Sequence, residues 1–457
     1  MRAATRPNIS RLAAAPIALV ALLAPVPGPA APQQPISEAV VKQCQDDTLA
    51  RTQRVAACTS LVDALKGNST QQAFAYLMRG SAHYDGDDYD RAVSDLNEAI
   101  KLLPNFAEAF DLRGSAWRGK GDRSRALADY DQALRLKPDQ SDMLSNRGNL
   151  YNELGDFDRA IADFDRALAI DPKNSGAWYN RGISYNSKGD NKRAIADYDE
   201  AIKLEPANPA LFNNRAKALS DSGADARALA DYNEAIRLDP KFALAYYNRG
   251  SHYRERAEHD RALADFDASI RLDPNYAPAF GNRARTWQDK GDFDRALADF
   301  NTSLRLDPRG FRDFNGRGYL HYLRGAIELA LADFDAALRI EPTYALGFSN
   351  RCLMRAVKGE LQQALADCNE AVRLRPDSAI ALDERAFVHF KLGELDAAIA
   401  DYTAALAIDP RRATALYGRG LVHARKGDLG AAKRDQDAAR VRDPKVGEEF
   451  ARRGIRP

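Results

Sequence analysis

The stretch "WYNRGISY", residues Trp178–Tyr185, carries the pattern that decides the fold of this 457-residue chain. Its aromatic ends are typical of a buried helix, yet its centre holds an amide, a permanent cation and glycine, which weakens helices. The same "NRG" triplet returns at Asn146 and Asn248, and variants of it stand at other multiples of 34 residues. Prolines recur at the same interval from Pro104 to Pro444. A fixed period of this length predicts a solenoid of repeated units.

With proline set at position 32, the repeats begin at Ala73 and eleven of them end at Val446. Position 20 is always alanine, position 8 is mostly glycine, and positions 4 and 24 are mostly large or aromatic. Gly-Asp pairs such as Gly155-Asp156 are expected to end one helix and begin the next. This pattern closely resembles the tetratricopeptide repeat, a helix-turn-helix unit of 34 residues. The resemblance implies an all-α fold, a right-handed superhelical α-solenoid.

The sequence divides into four expected segments: a signal peptide at 1–30, an irregular helical N-terminal cap at 31–72, the eleven repeats at 73–446, and a truncated C-terminal capping repeat at 447–457. The first segment has a basic start, a short apolar run and a small-residue exit, which indicates a cleavable secretory signal. Its apolar run is too short to span a bilayer, so no membrane insertion is expected. The cleavable signal predicts export, and abundant alanine and arginine are typical of a GC-rich bacterium. We therefore predict a periplasmic or secreted protein.

The triplet inside the opening stretch has two structural explanations. At about 100° per residue, positions 4, 7, 8 and 11 share one face of the first helix. Gly182 is therefore expected where the two helices of a repeat pack closely. Position 7 is arginine and position 23 is aspartate in all eleven repeats, from Arg79 and Asp95 onward. These charges predict a structural ion-pair ladder, formed either within repeats or between neighbours.

Four cysteines allow three disulfide pairings. Cys44 and Cys58 lie in the N-terminal cap, and we predict that they pair because an oxidising compartment favours the bond. Cys352 and Cys368 occupy positions 8 and 24 of one repeat, on its two helices. They form either a second disulfide or two buried thiols.

Positions 2, 5, 6, 9, 12 and 13 share the opposite face of the first helix, here called the first-helix wall. In the family that the chain resembles, this face lines the concave groove. A column of asparagines at position 6 lies on it: Asn146, Asn180, Asn214, Asn248, Asn282 and Asn350. The column resembles the asparagine ladder of the O-linked N-acetylglucosamine transferase repeats, whose amides grip an extended peptide backbone. An amide both donates and accepts, as a peptide unit requires; the alternative is a merely solvated groove residue.

Repeats 8–10 place aromatic residues on the same wall: Tyr319, Tyr322, Phe387 and Phe390. An apolar patch on a solvent-facing surface usually marks an interaction site. We therefore predict a non-enzymatic periplasmic scaffold that binds an extended peptide or a partner protein in its groove. The alternative is a self-associating or cell-envelope assembly component, a homo-oligomer without a peptide-binding role.

Other classes of function find little support. The near phosphate-binding loop "GSAWRGKG" lacks its final Ser or Thr, and no nucleophile–base–acid set emerges. Histidines recur at position 11, the aromatic core slot, without metal-ligand spacing: His83, His321, His389 and His423. The formal net charge of +1 and the acidic residues along the wall argue against nucleic acid. We predict no cofactor and no metal. A basic excess after Pro410 indicates a solvated end or contact with an anionic partner.

Overall fold

The computed structural model of the protein describes residues 37–455, in which helices are the only regular secondary structure. The expected signal peptide lies outside these residues. The described residues form two compact units, which are divided between Pro240 and Lys241. The repeat period does not predict this division, because Pro240 occupies position 32, as the prolines of the other repeats do.

The first unit opens with two cap helices and continues with five helix pairs. The cap helices are α1 (Glu38–Gln45) and α2 (Arg51–Ala64). The pairs are α3 (Ser69–Asp85) with α4 (Tyr89–Leu102), α5 (Ala107–Gly119) with α6 (Arg123–Leu136), α7 (Ser141–Leu154) with α8 (Phe157–Ile170), α9 (Ser175–Ser187) with α10 (Asn191–Leu204), and α11 (Pro209–Asp221) with α12 (Asp225–Leu238).

The second unit contains six helix pairs and a short final helix. The pairs are α13 (Ala243–Glu255) with α14 (His259–Leu272), α15 (Ala277–Asp289) with α16 (Phe293–Leu306), α17 (Phe311–Leu323) with α18 (Ile327–Ile340), α19 (Ala345–Lys358) with α20 (Leu361–Leu374), α21 (Ala379–Leu392) with α22 (Leu395–Ile408), and α23 (Ala413–Arg425) with α24 (Leu429–Arg442). The final helix is α25 (Val446–Arg452). The all-helical α-solenoid that the 34-residue period predicts is confirmed.

The Gly-Asp pairs end and begin helices as predicted. Gly155 ends α7 with φ 77°, a left-handed conformation that favours glycine. The side chain of Asp156 then accepts a hydrogen bond from the backbone N–H of Arg159, at 3.1 Å. This bond satisfies one of the free amides at the start of α8.

Gly182 confirms the packing role expected of position 8. A Cβ atom placed on it would lie 2.7 Å from Cε1 of Tyr198, a buried position-24 ring on the second helix of the same repeat. Real carbon atoms do not approach this closely, so an added side chain would force α9 and the Tyr198 ring apart. The opening stretch therefore tolerates a poor helix former because helix packing requires it.

The arginine–aspartate ladder is confirmed in all eleven repeats and lies within each repeat. In repeat 4, Nε and Nη2 of Arg181 donate to the two carboxylate oxygens of Asp197, at 2.8 and 2.7 Å. Its Nη1 donates to Asp165 at position 25 of the preceding repeat, at 2.6 Å. Pairing within a repeat and pairing between neighbouring repeats therefore coexist, because one guanidinium has enough donors to join three helices.

Both cysteine pairs lie at disulfide distance. The sulfur atoms of Cys44 and Cys58 are 2.01 Å apart and join α1 to α2. Those of Cys352 and Cys368 are 2.02 Å apart and join the two helices of repeat 9. Between residues 37 and 455, no helix combines the length and the apolar character needed to cross a membrane.

Candidate functional site

The first-helix wall is built by side chains that reach from one repeat to the next. The amide nitrogen of a position-6 asparagine donates to the position-5 side chain of the preceding repeat. Four such bonds are Asn146 to Asp111 (3.0 Å), Asn214 to the Tyr179 hydroxyl (2.7 Å), Asn282 to the Tyr247 hydroxyl (2.8 Å) and Asn350 to Asn315 (2.9 Å). The column thus braces neighbouring repeats along the wall of each unit.

This bracing places the asparagines deeper than a solvated column would lie. Asn146 and Asn180 are buried, so the expectation that both face open groove is wrong. The reason is the close approach of successive first helices, which covers side chains at position 6. The backbone carbonyl of Asn180 also accepts from Asn152, at 3.1 Å, and from Ser184, at 3.0 Å. Asn214, Asn248, Asn282 and Asn350 are half-buried.

Asp111 is the most buried acid of the first unit's wall, with 1% of its surface exposed. Its carboxylate accepts from the Asn146 amide at 3.0 and 3.1 Å. Burial raises the pKa of Asp111 to about 7, and the Asn146 hydrogen bond opposes that rise only in part. The nearby carboxylates of Asp142 and Glu108 raise it slightly further. The contact between repeats 2 and 3 therefore contains a carboxyl group that titrates near neutral pH.

The aromatic residues of repeats 8–10 differ from the expected solvent-facing patch. Tyr319 is 37% exposed, but Phe387 is 0% exposed, and Tyr322 and Phe390 are also buried. The expectation of an open apolar surface is therefore wrong for these three residues. For Phe387 the physical reason is the chain's own C-terminal segment, which covers it.

The covering segment is α25 with the residues that follow it. The ring of Phe450 lies 6.0 Å from that of Phe387 and 5.0 Å from that of Tyr417. Just beyond the helix, Nη1 of Arg453 donates to Glu384 at 3.0 Å, and its guanidinium lies 5.5 Å from the Phe387 ring centre. Phe450 and Arg453 are both buried. The final segment therefore sits on wall residues of repeats 10 and 11.

Arg453 consequently does not make the contact that its repeat position predicts. In the full repeats, the position-7 arginine pairs with an aspartate on the second helix of its own repeat. Arg453 pairs instead with Glu384, 69 residues earlier, and with Glu449 of α25. The segment expected as a truncated capping repeat thus turns its position-4 and position-7 side chains onto the wall.

Two neighbouring acidic residues of α21, Asp383 and Glu384, lie where this segment meets the wall. Asp383 accepts from Nε of Arg412 and from the Thr414 hydroxyl, each at 2.6 Å. Glu384 accepts from Arg453. Burial raises the pKa of Glu384, whereas the Arg453 charge favours its ionised form. Asp383 is therefore paired with Arg412 and Glu384 with Arg453, and the charge of Arg412 also favours the ionised form of Glu384.

Sequence reasoning missed Asp383, Glu384, Phe450 and Arg453. One signal was present: position 6 of repeat 10 is glutamate, which breaks the asparagine column next to the aromatic residues. No group of three or more histidine, cysteine, aspartate or glutamate side chains between residues 37 and 455 is arranged to hold a metal ion.

Comparison with known families gives three matching family models. The model described as "Tetratricopeptide repeat" matches residues 77–141, 112–175, 145–210 and 282–345. The model described as "TPR repeat" matches residues 219–255 and 388–427, and a second tetratricopeptide model matches 243–276. Together these matches span more than half of the chain. No curated protein sequence matches it.

Solved structures of similar fold include three repeat proteins. The APC/C hetero-tetramer Cut9-Hcn1 is 17% identical with a TM-score of 0.49, over 91% of this chain and 94% of that one. A tetratricopeptide repeat protein from Parabacteroides merdae is 21% identical with a TM-score of 0.48, over 56% and 99%. Yeast Tom70 is 17% identical with a TM-score of 0.40, over 83% and 94%.

Proposed function

Since this chain belongs to the tetratricopeptide repeat family, we propose that it is an exported scaffold that binds a partner polypeptide on its first-helix wall. Tetratricopeptide repeat proteins bind proteins or peptides and are generally non-enzymatic scaffolds. The partner in this proposal is an extended peptide or a segment of another protein. The bound segment contacts side chains at positions 2, 5, 6, 9 and 12 of successive first helices.

One observation carries the proposal: the wall of repeats 10 and 11 already holds a segment of polypeptide. Phe450 and Arg453 of that segment are held by two aromatic rings and a carboxylate. A surface that buries an aromatic ring and pairs a charge in one short segment has the anchors that protein interfaces use. Tyr319 of repeat 8 lies beside the buried Tyr322 ring and is itself 37% exposed, so an aromatic residue of the wall is open to a partner.

The asparagine column has a smaller part in the proposed site. Asn214, Asn248, Asn282 and Asn350 are half-buried, so a bound backbone has access to part of each amide. Asn146 and Asn180 are buried and belong to the bracing of the wall. We therefore place the main anchors of a partner in repeats 8–11 and secondary polar contacts along the half-buried asparagines of the same unit, Asn248, Asn282 and Asn350.

Export rests on the N-terminal sequence and on the cysteines. A signal peptide at 1–30 and two cysteine pairs at disulfide distance fit an oxidising compartment outside the cytoplasm. Mass spectrometry of protein purified from an exporting host should find a chain that begins near Ala31. Recovery of the intact Met1 peptide would contradict export.

Partner binding is tested by photo-crosslinking in the living host. A photoreactive amino acid replaces Tyr319 on the wall in one protein and Leu329, an exposed residue on α18 of the same repeat, in the control. Tyr319 should give discrete cross-linked products, and the control should give none of them because its side chain lies on the second helix.

The products separate the proposal from its alternative. Products that contain another protein support the scaffold. A dominant product of twice the chain's own mass supports the self-associating assembly component instead. Equal products from the two positions, or none from either, would refute binding on the wall.

A further inference from the structure

We propose that the C-terminal segment Val446–Ile455 is an internal ligand that occupies the wall of repeats 10 and 11 until a partner with the same chemistry displaces it. The partner segment carries an aromatic residue followed three positions later by arginine. This inference rests on the proposed function and adds where the partner binds, what it looks like and what it competes with.

The aromatic half of the site is formed by two first helices. Phe387 lies at position 9 of α21 and Tyr417 at position 5 of α23, and the Phe450 ring is within 6.0 Å of both. The position-4 side chain is half-buried in most full repeats, whereas Phe450 is buried against rings of repeats 10 and 11. A pocket between two first helices accepts an aromatic ring from any segment that reaches it.

The charged half of the site selects arginine. Arg412 neutralises the charge of Asp383, and the Thr414 hydroxyl donates a hydrogen bond to the same carboxylate. Glu384 has no cation on α21 or α23 within salt-bridge distance; its pairing is to Arg453 of the segment, at 3.0 Å. A buried carboxylate without a partner is costly, so an empty site would favour any ligand that brings a cation. The guanidinium also lies 5.5 Å from the Phe387 ring centre, an arrangement that suits its flat shape.

The spacing of the two anchors sets the geometry of the partner. The Phe450 side chain lies on one face of α25. Arg453 follows three residues later, so the two side chains lie on the same side of one helical turn. Glu448 and Arg452 are exposed on the other side. Within the segment, Glu449 accepts from Nη2 of Arg453, and Val446 is buried. The minimal partner is one helical turn with an aromatic residue and an arginine, and an acid beside the aromatic residue would orient that arginine.

The internal ligand fits the site incompletely. The Tyr322 hydroxyl, Oδ1 of Asp383 and Nε of Arg453 are buried atoms without a hydrogen-bond partner among the described residues. Unpaired buried polar atoms weaken binding. A partner that supplies bonds to the first two atoms binds better than the internal segment, which makes displacement thermodynamically accessible.

Tethering decides how strongly the internal segment competes. A short connection gives a segment an effective concentration of about 1 mM at its site. A free peptide of the same sequence then binds wild-type protein with an apparent Kd of about 1 mM or weaker. Once the internal copy is disabled, the same peptide binds with its intrinsic Kd.

The experiment uses the full mature chain and a fluorescent peptide with the sequence of residues 445–457 as probe. The double variant Phe450→Ala with Arg453→Ala, called the released variant, frees the wall of the internal segment. The double variant Glu448→Ala with Arg452→Ala is the control on the exposed side of the same segment. Fluorescence anisotropy should show at least a tenfold lower Kd for the released variant than for the wild type and the control. Adding Glu384→Gln to the released variant should abolish this gain.

Circular dichroism verifies that the released variant retains its helical signal. Should that signal fall, Phe450→Leu replaces the double variant, since it keeps an apolar side chain and should give a smaller gain in the same direction. Equal Kd values for the released variant and the wild type would overturn the internal ligand. Equal binding of a probe with its phenylalanine and second arginine exchanged for alanine would overturn the aromatic–arginine chemistry. Neither result would contradict the proposed function, because the cross-linking at Tyr319 tests partner binding separately.

Discussion

Replacing Asp111 with asparagine tests how the wall holds neighbouring repeats together. Asp111 is 1% exposed and accepts from the Asn146 amide at 3.0 and 3.1 Å, between repeats 2 and 3. Asparagine has almost the same shape and keeps an oxygen for that amide, but it cannot ionise. Asp111→Asn therefore removes a charge and little else.

The magnitude follows from the raised pKa. Burial raises the pKa of Asp111 from 3.8 to about 7, so the folded state holds a proton that the unfolded state releases at neutral pH. Stability from this group is greatest below about pH 4 and is lost as the pH rises to about 7. At 1.36 kcal/mol per pKa unit, Asp111→Asn should stabilise the contact by about 4 kcal/mol at pH 8 and by about 1.5 kcal/mol at pH 5.

The assay is native-state hydrogen exchange, because a repeat array opens locally and one global unfolding transition would average over it. The opening free energies of α5 and α7 are measured in both proteins at pH 5 and pH 8. Every other ionisable group is the same in the two proteins, so its contribution cancels in the difference. A gain that is equal at the two pH values would show that Asp111 stays ionised and that the Asn146 amide satisfies the charge.

Three further predictions address the repeats and the disulfides. Asp197→Ala removes two of the hydrogen bonds of Arg181 and should loosen repeat 4 by about 1–3 kcal/mol in hydrogen exchange; unchanged exchange there would reduce the ladder to a surface feature. Gly182→Ala should lower stability by about 1 kcal/mol despite alanine's better helix propensity, since the added carbon meets Tyr198. Gly176→Ala in the same helix, where the added carbon has room, should not lower it. Thiol reagents should label none of the four cysteines in unreduced, denatured protein, and reduction of one bridge should destabilise the protein by about 3 kcal/mol.

Features with short spacing along the chain were predictable because they repeat. The ladder joins residues 16 positions apart, and the cysteines of repeat 9 are separated by the same distance. Such pairs face each other whenever two helices of fixed length fold back across a short turn. The glycine at position 8 follows for the same reason, since its packing partner is the position-24 ring of its own repeat.

The candidate site was predictable only in outline. The wall and its residues could be assigned from helical periodicity, but their accessibility could not. Whether Asn146 faces a ligand or the preceding repeat depends on how closely two first helices approach and on which rotamer the amide adopts. Its partner lies 35 residues away, at a distance that packing between repeats decides.

The sequence by itself determined the 34-residue helical pair, the charge ladder, the packing glycines and the facing cysteines, because each depends on spacing inside one repeat. Only the tertiary structure decided that the asparagines brace neighbouring repeats and that Phe450 and Arg453 lie on the wall. The bond between Arg453 and Glu384 joins residues 69 positions apart, about two repeat lengths, so it depends on how separate repeats pack. A periodic pattern specifies the contacts that every repeat makes, and it does not specify a contact that a single segment makes.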